Sequence, residues 1–170
     1  MLIRLRPEEA RSAVSKDEDV IEFPTTGRFE GRVHHYPVRV FYEDTDFTGI
    51  VYYANYLRFF ERARSSFFRR VGFEHAKLWA GEDPMAFAIR RIELDYRAPA
   101  RIDDALDIRT TYDRFRGARL WVSQECWRGD DLLVKAGSEA ASITPDGRPK
   151  RAPGWMLDAL GPYLLPEAER

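Results

Sequence analysis

Cysteine is almost missing from this chain: Cys126 is the one cysteine among 170 residues, which excludes an internal disulfide. No apolar run approaches the roughly 18 residues of a membrane-spanning helix. The first twenty residues, with Glu8, Glu9, Asp17, Glu18 and Asp19, hold no apolar signal core, so the expectation is a soluble, cytoplasmic protein. Excess charge of either sign is absent too. The 27 basic and 28 acidic residues leave a net charge of −1, and no long-range field favours nucleic acid or a membrane surface. Lysine is scarce: Lys16, Lys77, Lys135 and Lys150 leave 27 − 4 = 23 arginines. Arginine suits planar, bidentate phosphate contacts, although a genome composition that favours arginine explains the bias equally well. His34, His35 and His75 lack the partner spacing of a zinc site, so neither metal nor other cofactor is expected. There is no internal repeat and no low-complexity segment.

What is present suits one compact α+β domain. Residues 1–30, polar and broken by Pro7, Pro24 and Gly27, are expected to form a mobile extension, and residues 31–165 the domain. Val38, Val40 and Tyr42 alternate as a half-buried strand. Tyr56, Phe59, Phe60, Ala63, Phe67 and Val71 then recur at three- and four-residue spacing opposite Arg58, Arg62, Arg69 and Arg70. That pattern predicts an amphipathic helix closed by Gly72. Beyond Pro84, four further strands are read around Ile92–Tyr96, Leu106–Tyr112, Leu120–Cys126 and Leu132–Ala136. Gly117 and Gly129-Asp130 are placed to turn hairpins, and a short apolar helix is expected within 155–165. A strand, one long helix and four strands predict a largely antiparallel five-stranded sheet wrapped around the helix. Sheet edges and aromatic surface left over favour pairing with further copies, as a homodimer or homotetramer.

The chemistry concentrates in Glu43-Asp44-Thr45-Asp46-Phe47-Thr48-Gly49, three carboxylates between a strand end and a helix start. An EF-hand would place Asp44, Asp46, Thr48 and Gly49 at its first, third, fifth and sixth positions, but its twelfth, which needs a bidentate glutamate, is Asn55. A metal-dependent phosphatase could use Asp44 and Asp46 after an apolar strand. It would need further acidic ligands and a cation on parallel strand ends, where this chain shows hairpins.

A third pattern runs further: Tyr42, Asp44-Thr45-Asp46, Gly49, Val51-Tyr52 and Tyr56, then Phe59-Phe60-Glu61-Arg62-Ala63-Arg64 on the helix. With Leu94-Asp95-Tyr96-Arg97-Ala98-Pro99 and Asp103-Asp104 downstream, the chain resembles the hot-dog acyl-CoA thioesterases of the 4-hydroxybenzoyl-CoA thioesterase and YbgC type over roughly residues 35–160. The resemblance implies a five-stranded antiparallel sheet around one helix, dimers joined edge to edge, and metal-free hydrolysis of an acyl-CoA thioester between subunits.

By that resemblance Asp46 matches the catalytic carboxylate, as general base or nucleophile, and the backbone N–H near Tyr53 holds the thioester oxygen. Many YbgC-like members carry histidine where this chain has Tyr53, a departure that counts against a histidine-assisted mechanism. Gly49 serves the turn. Asn55 caps the helix or orients water, with capping favoured. Glu61 matches an acidic position of the family and supports the site or pairs with Arg58, Arg64 or a neighbouring subunit. Tyr52, Tyr56, Phe59 and Phe60 read as core or acyl pocket. Arg114, Arg116 and Arg119, around the Gly117 turn, are candidates for the phosphates of coenzyme A, with Arg90, Arg91 and Arg97 behind them. The rival reading is a module that binds acyl-CoA or an acyl carrier protein without turnover. The hot-dog fold also hosts dehydratases, but those use a histidine on the central helix, and residues 55–71 contain none.

Overall fold

The computed structural model describes residues 27–166. The expected N-terminal extension lies outside these residues except for its last part, where Arg28–Glu30 pairs as a strand, β1, with the beginning of β2. Six strands result where five are expected: β1, β2 (Val33–Arg39), β3 (Ala86–Tyr96), β4 (Ala105–Arg116), β5 (Arg119–Arg128) and β6 (Asp131–Ile143). They form one sheet in the order β1-β2-β4-β5-β6-β3, every pair antiparallel. The register pairs Arg116 with Arg119 and Arg128 with Asp131, leaving two-residue turns. Gly117 takes φ +64° in the first, the backbone such short hairpins demand. Among the described residues long β3 pairs only with β6, which leaves its other edge without a partner strand there.

The strand expected to include Val40 and Tyr42 stops at Arg39. Val40 remains buried, bonded through its backbone to Asp103 and Asp104, but Tyr42–Asp44 turns as one 3-10 helical turn and leaves Tyr42 84% exposed. The cause is local: Asp44 folds back so that its Oδ2 accepts the Phe41 N–H at 2.9 Å, and a strand cannot keep that bond.

Helix α1 (Asn55–Arg70) lies against β2 and β4, with Gly72 past its end at φ +92°. Two short helices follow, α2 (His75–Ala80) and, near the C-terminus, α3 (Gly154–Leu160), which is shorter than the expected apolar tail. The face α1 turns to the sheet carries Tyr56, Phe59, Phe60, Ala63, Phe67 and Phe68, all buried. Each phenylalanine removed from water there contributes about 2–3 kcal/mol.

The core beneath α1 is in two parts. One gathers Val38, Tyr56, Phe59, Phe60, Leu106, Ile108, Cys126 and Val134 around the first half of the helix. The other gathers Phe67, Phe68, Phe73, Tyr112, Leu120, Val122, Met156 and Leu160 around the second. A polar layer crosses between them. Arg64 enters from α1 and donates through Nη1 to Gln124 Oε1 at 2.6 Å and through Nη2 to Glu61 at 2.7 Å. Gln124 Nε2 donates in turn to the Phe60 carbonyl and to Thr110 Oγ1, each at 3.0 Å, and Thr110 and Gln124 face each other in register on β4 and β5. Arg64, Thr110 and Gln124 are all buried.

Gln124 thus serves three partners at once. Replacing it by Leu leaves the buried Arg64 guanidinium, the Phe60 carbonyl and Thr110 each short of a bond. Urea unfolding should show Gln124→Leu less stable by about 2–4 kcal/mol. A loss within about 0.5 kcal/mol, the range of ordinary surface changes, would contradict the layer's role.

Candidate active site

The acidic segment is a small hydrogen-bonded loop seated on the start of α1. Thr45 and Val51 bridge across it, Ile50 bridges to Arg101, and Val51 N–H donates to Ala100 C=O at 2.8 Å. At its tip, Gly49 N–H donates to Asp46 C=O at 3.0 Å, closing a four-residue turn, and Asp46 N–H donates to Ile50 C=O at 2.9 Å. Gly49 sits at φ +76° with open space where a Cβ would stand, so the turn requires glycine for its backbone and not for room.

The two aspartates diverge. Asp44 is buried: its carboxylate holds the Phe41 N–H, and its carbonyl accepts from Tyr52 N–H and Asn55 Nδ2, both at 2.9 Å. A metal-binding pair needs both carboxylates free, and Asp44 is committed to folding the loop, so the phosphatase reading is not favoured. Asp46 is partly exposed. Its Oδ1 accepts the Thr48 N–H and hydroxyl, while Oδ2 has no donor among the described residues. The Thr48 hydroxyl, then the Thr48 N–H, hold the Asp46 carboxyl below the usual carboxylate range. At neutral pH it is therefore an anion with one oxygen free. The lone cysteine is no competing nucleophile, because burial pushes the Cys126 thiol up to about 12.

Nine residues beyond Asp46 the chain enters α1. Neither the Tyr53 nor the Ala54 N–H meets an acceptor among the described residues. No side chain caps this end, and its first turn holds no acidic residue, so the positive end of the helix dipole is uncompensated. The Tyr53 carbonyl is fixed by the Tyr96 hydroxyl at 3.0 Å. Ile50, Tyr53, Tyr56, Tyr96, Arg97 and Pro99 help line an open, largely apolar cavity of about 290 Å³ at this helix start.

Sequence reasoning and geometry differ at several residues. Asn55 does not cap the helix: Ala54 occupies that position, and the Asn55 side chain ties α1 to the acidic loop through Asp44 C=O. Glu61 lies six residues further along α1, roughly 9 Å of rise from Asn55. It pairs with Arg64, one of the partners expected from sequence, and accepts from Ser65 as well, so one protomer does not bring it together with Asp46. Tyr56, Phe59 and Phe60 are core, whereas Tyr52 is 44% exposed. Arg114, Arg116 and Arg119 cluster at the β4–β5 hairpin as expected, Arg114 lying over the Trp121 ring at 4.2 Å and Arg119 beside Glu139 at 3.3 Å. That hairpin closes the far end of β4, roughly 35 Å from the end that joins the acidic loop, so these arginines and Asp46 do not share a site within one protomer. Basic residues nearer the loop include Arg97, which lines the cavity, and Arg101. Arg101, whose backbone bridges Ile50, was not among the residues singled out by sequence; its place after Pro99 on the loop's partner segment is the signal that could have found it.

The family model of the thioesterase superfamily matches residues 48–135, just over half of the chain. The chain belongs to the thioesterase superfamily. The acyl-CoA thioesterase YbgC of Haemophilus influenzae is 39% identical over 108 residues, covering 64% of this chain and 79% of that protein. The acyl-CoA thioester hydrolase YbgC of Escherichia coli is 41% identical over 99 residues, covering 58% and 72%. Among solved structures, a probable thioesterase from Bartonella henselae superposes with a TM-score of 0.69 at 41% identity, covering 71% of this chain and 99% of that one. The hot-dog fold and the kinship expected from the motif are thereby established, with a sixth strand added at the β2 edge. Acyl transfer to water calls for a base or nucleophile and for donors to an oxyanion, and a carboxylate oxygen and N–H groups without partners among the described residues are groups of those two kinds.

If Thr48 sets the Asp46 titration, removing its hydroxyl must raise the Asp46 pKa toward the ordinary value. Carboxyl-carbon NMR titration of Thr48→Val should show this upward move; an unmoved Asp46 would show that the turn does not tune it.

Proposed function

We propose that this thioesterase hydrolyses an acyl-CoA thioester to free acid and coenzyme A, with Asp46 as the catalytic residue. The observation that carries the proposal is the pairing of a carboxylate that keeps one unpartnered oxygen with a helix start whose N–H groups lack acceptors. The activity named for the YbgC relatives supports the same reading.

In this reading the thioester carbonyl oxygen lies against the Tyr53 and Ala54 N–H groups, which take up the negative charge that develops as the carbonyl carbon becomes tetrahedral. Asp46 Oδ2 either draws a proton from an attacking water or itself adds to the carbonyl. In the first case the proton passes to the carboxylate and then to the leaving thiolate. In the second a mixed anhydride forms, coenzyme A leaves, and water opens the anhydride. The hydrogen bonds from Thr48 keep the group ionised for either route. Arg97 and Arg101 are placed to meet coenzyme A phosphates on the same protomer. The Arg114, Arg116 and Arg119 cluster can do so only for a site on a neighbouring subunit.

Such a neighbour is itself part of the proposal. Phe41, Tyr42, Phe47, Tyr52, Tyr53 and Tyr96 are all at least 44% exposed around the loop, Phe47 completely, and β3 leaves one edge unpaired. A second copy of the chain would cover both features.

Asp46→Asn is nearly isosteric and removes both base and nucleophile, so it should lower kcat on acyl-CoA by at least about a hundredfold while leaving fold and assembly intact. Thiol release followed with a sulfhydryl reagent measures this. An unchanged kcat would displace Asp46 from the site, and tight binding of acyl-CoA by the wild type without thiol release would favour a carrier or binding role.

A further inference from the structure

Two cavities draw their linings from both α1 and β3: the one at the candidate active site, with Tyr56 and Tyr96, and a second, smaller one further along the helix. At the first the Tyr96 hydroxyl bonds the Tyr53 carbonyl. At the second Glu61, Arg64, His75, Ile89, Val122 and Tyr112 help line a cavity of about 50 Å³. From Tyr53 to Glu61 the helix covers about 12 Å.

Tyr112 is the unusual member of this lining. It has no exposed surface, and its ring is fixed by Phe67 at 4.2 Å and Phe68 at 5.6 Å between ring centres. Yet its buried hydroxyl has no hydrogen-bond partner among the described residues. A buried hydroxyl left unpaired is costly, and such groups are few in native proteins. The polar side chains beside it are bonded elsewhere, Arg64 to Gln124 and Glu61, and Glu61 to Arg64 and Ser65. Burial raises the phenol's pKa, which keeps the proton in place for donation. The remaining walls are mostly hydrocarbon, including Phe68, Phe87 and Leu120.

Resting on the hydrolase reading above, we propose that this cavity receives the far end of the acyl group: an aliphatic chain of medium length ending in a hydroxyl or carbonyl oxygen, which the Tyr112 hydroxyl binds. About 50 Å³ admits a terminal group of a few atoms. It is far short of the roughly 150 Å³ cavity that takes a benzene ring, so a chain ending in an aromatic ring is refused there. A site built around a hydrogen bond to its substrate also discriminates strongly against the analogue that lacks the polar atom.

The test compares octanoyl-CoA with 8-hydroxyoctanoyl-CoA, and both with butyryl-CoA and benzoyl-CoA, by thiol release. Wild type should favour the hydroxylated chain by about tenfold or more in kcat/KM, and Tyr112→Phe should bring that ratio close to one. Ala140→Leu, which fills the cavity without touching the hydroxyl, should lower kcat/KM for both eight-carbon esters relative to butyryl-CoA. A hydroxyl preference that survives in Tyr112→Phe, or a preference for benzoyl-CoA, would overturn the assignment and leave the hydrolase reading standing. Absence of thiol release from every ester would instead overturn the hydrolase reading itself.

Discussion

The buried guanidinium of Arg64 organises this molecule. An arginine inside a core is tolerable only when its charge and its N–H groups are met, and here Gln124 and Glu61 meet them while Gln124 reaches on to Phe60 C=O and Thr110. One side chain thus locks the middle of α1 to β4 and β5. The register of the helix over the sheet follows, because sliding α1 by a residue would carry Arg64 into hydrocarbon on either side. The start of α1, where the chemistry is proposed, is therefore held in place by a contact three turns further along the helix.

From that fixed helix the loop gains its definition. Asn55 holds the Asp44 carbonyl, Asp44 folds the 3-10 turn, and the turn delivers Asp46 to a tip that demands a left-handed glycine. Asp44, Asn55 and the Thr48 hydroxyl are spent on shape, while one Asp46 oxygen and the Tyr53 and Ala54 N–H groups keep no partner among the described residues. Leaving the first turn without a capping side chain or an acidic residue sacrifices some helix stability. It keeps the dipole's positive end available for an oxyanion.

Much of this was legible in the sequence because it is periodic or punctuated. The spacing of Phe59, Phe60, Ala63 and Phe67 defines α1 to within about a residue, alternation marks β4, β5 and β6, and Gly117 and Gly129 mark their turns. The motif through Asp46 and Gly49 leads to the family. What escaped depends on contacts distant in sequence. Arg64 reads from sequence only as a candidate partner of Glu61, and its buried bond to Gln124 shows only once the sheet is brought beneath it. Tyr42 continues an alternation that only the Asp44 backbond interrupts. β1 is three residues long and carries no pattern of its own. The separation of the arginine hairpin from Asp46 is a property of strand length and topology, invisible in a list of basic residues.

In the proposed reaction the start of α1 polarises a thioester carbonyl beside Asp46. Isotope-edited infrared spectroscopy of a ¹³C=O-labelled acyl-CoA bound to Asp46→Asn, which traps the ester unreacted, tests it most directly. A carbonyl stretch displaced to lower frequency than in water is the predicted result. A stretch unchanged from water would mean that the Tyr53 and Ala54 N–H groups do not hold the oxygen, and would contradict the account.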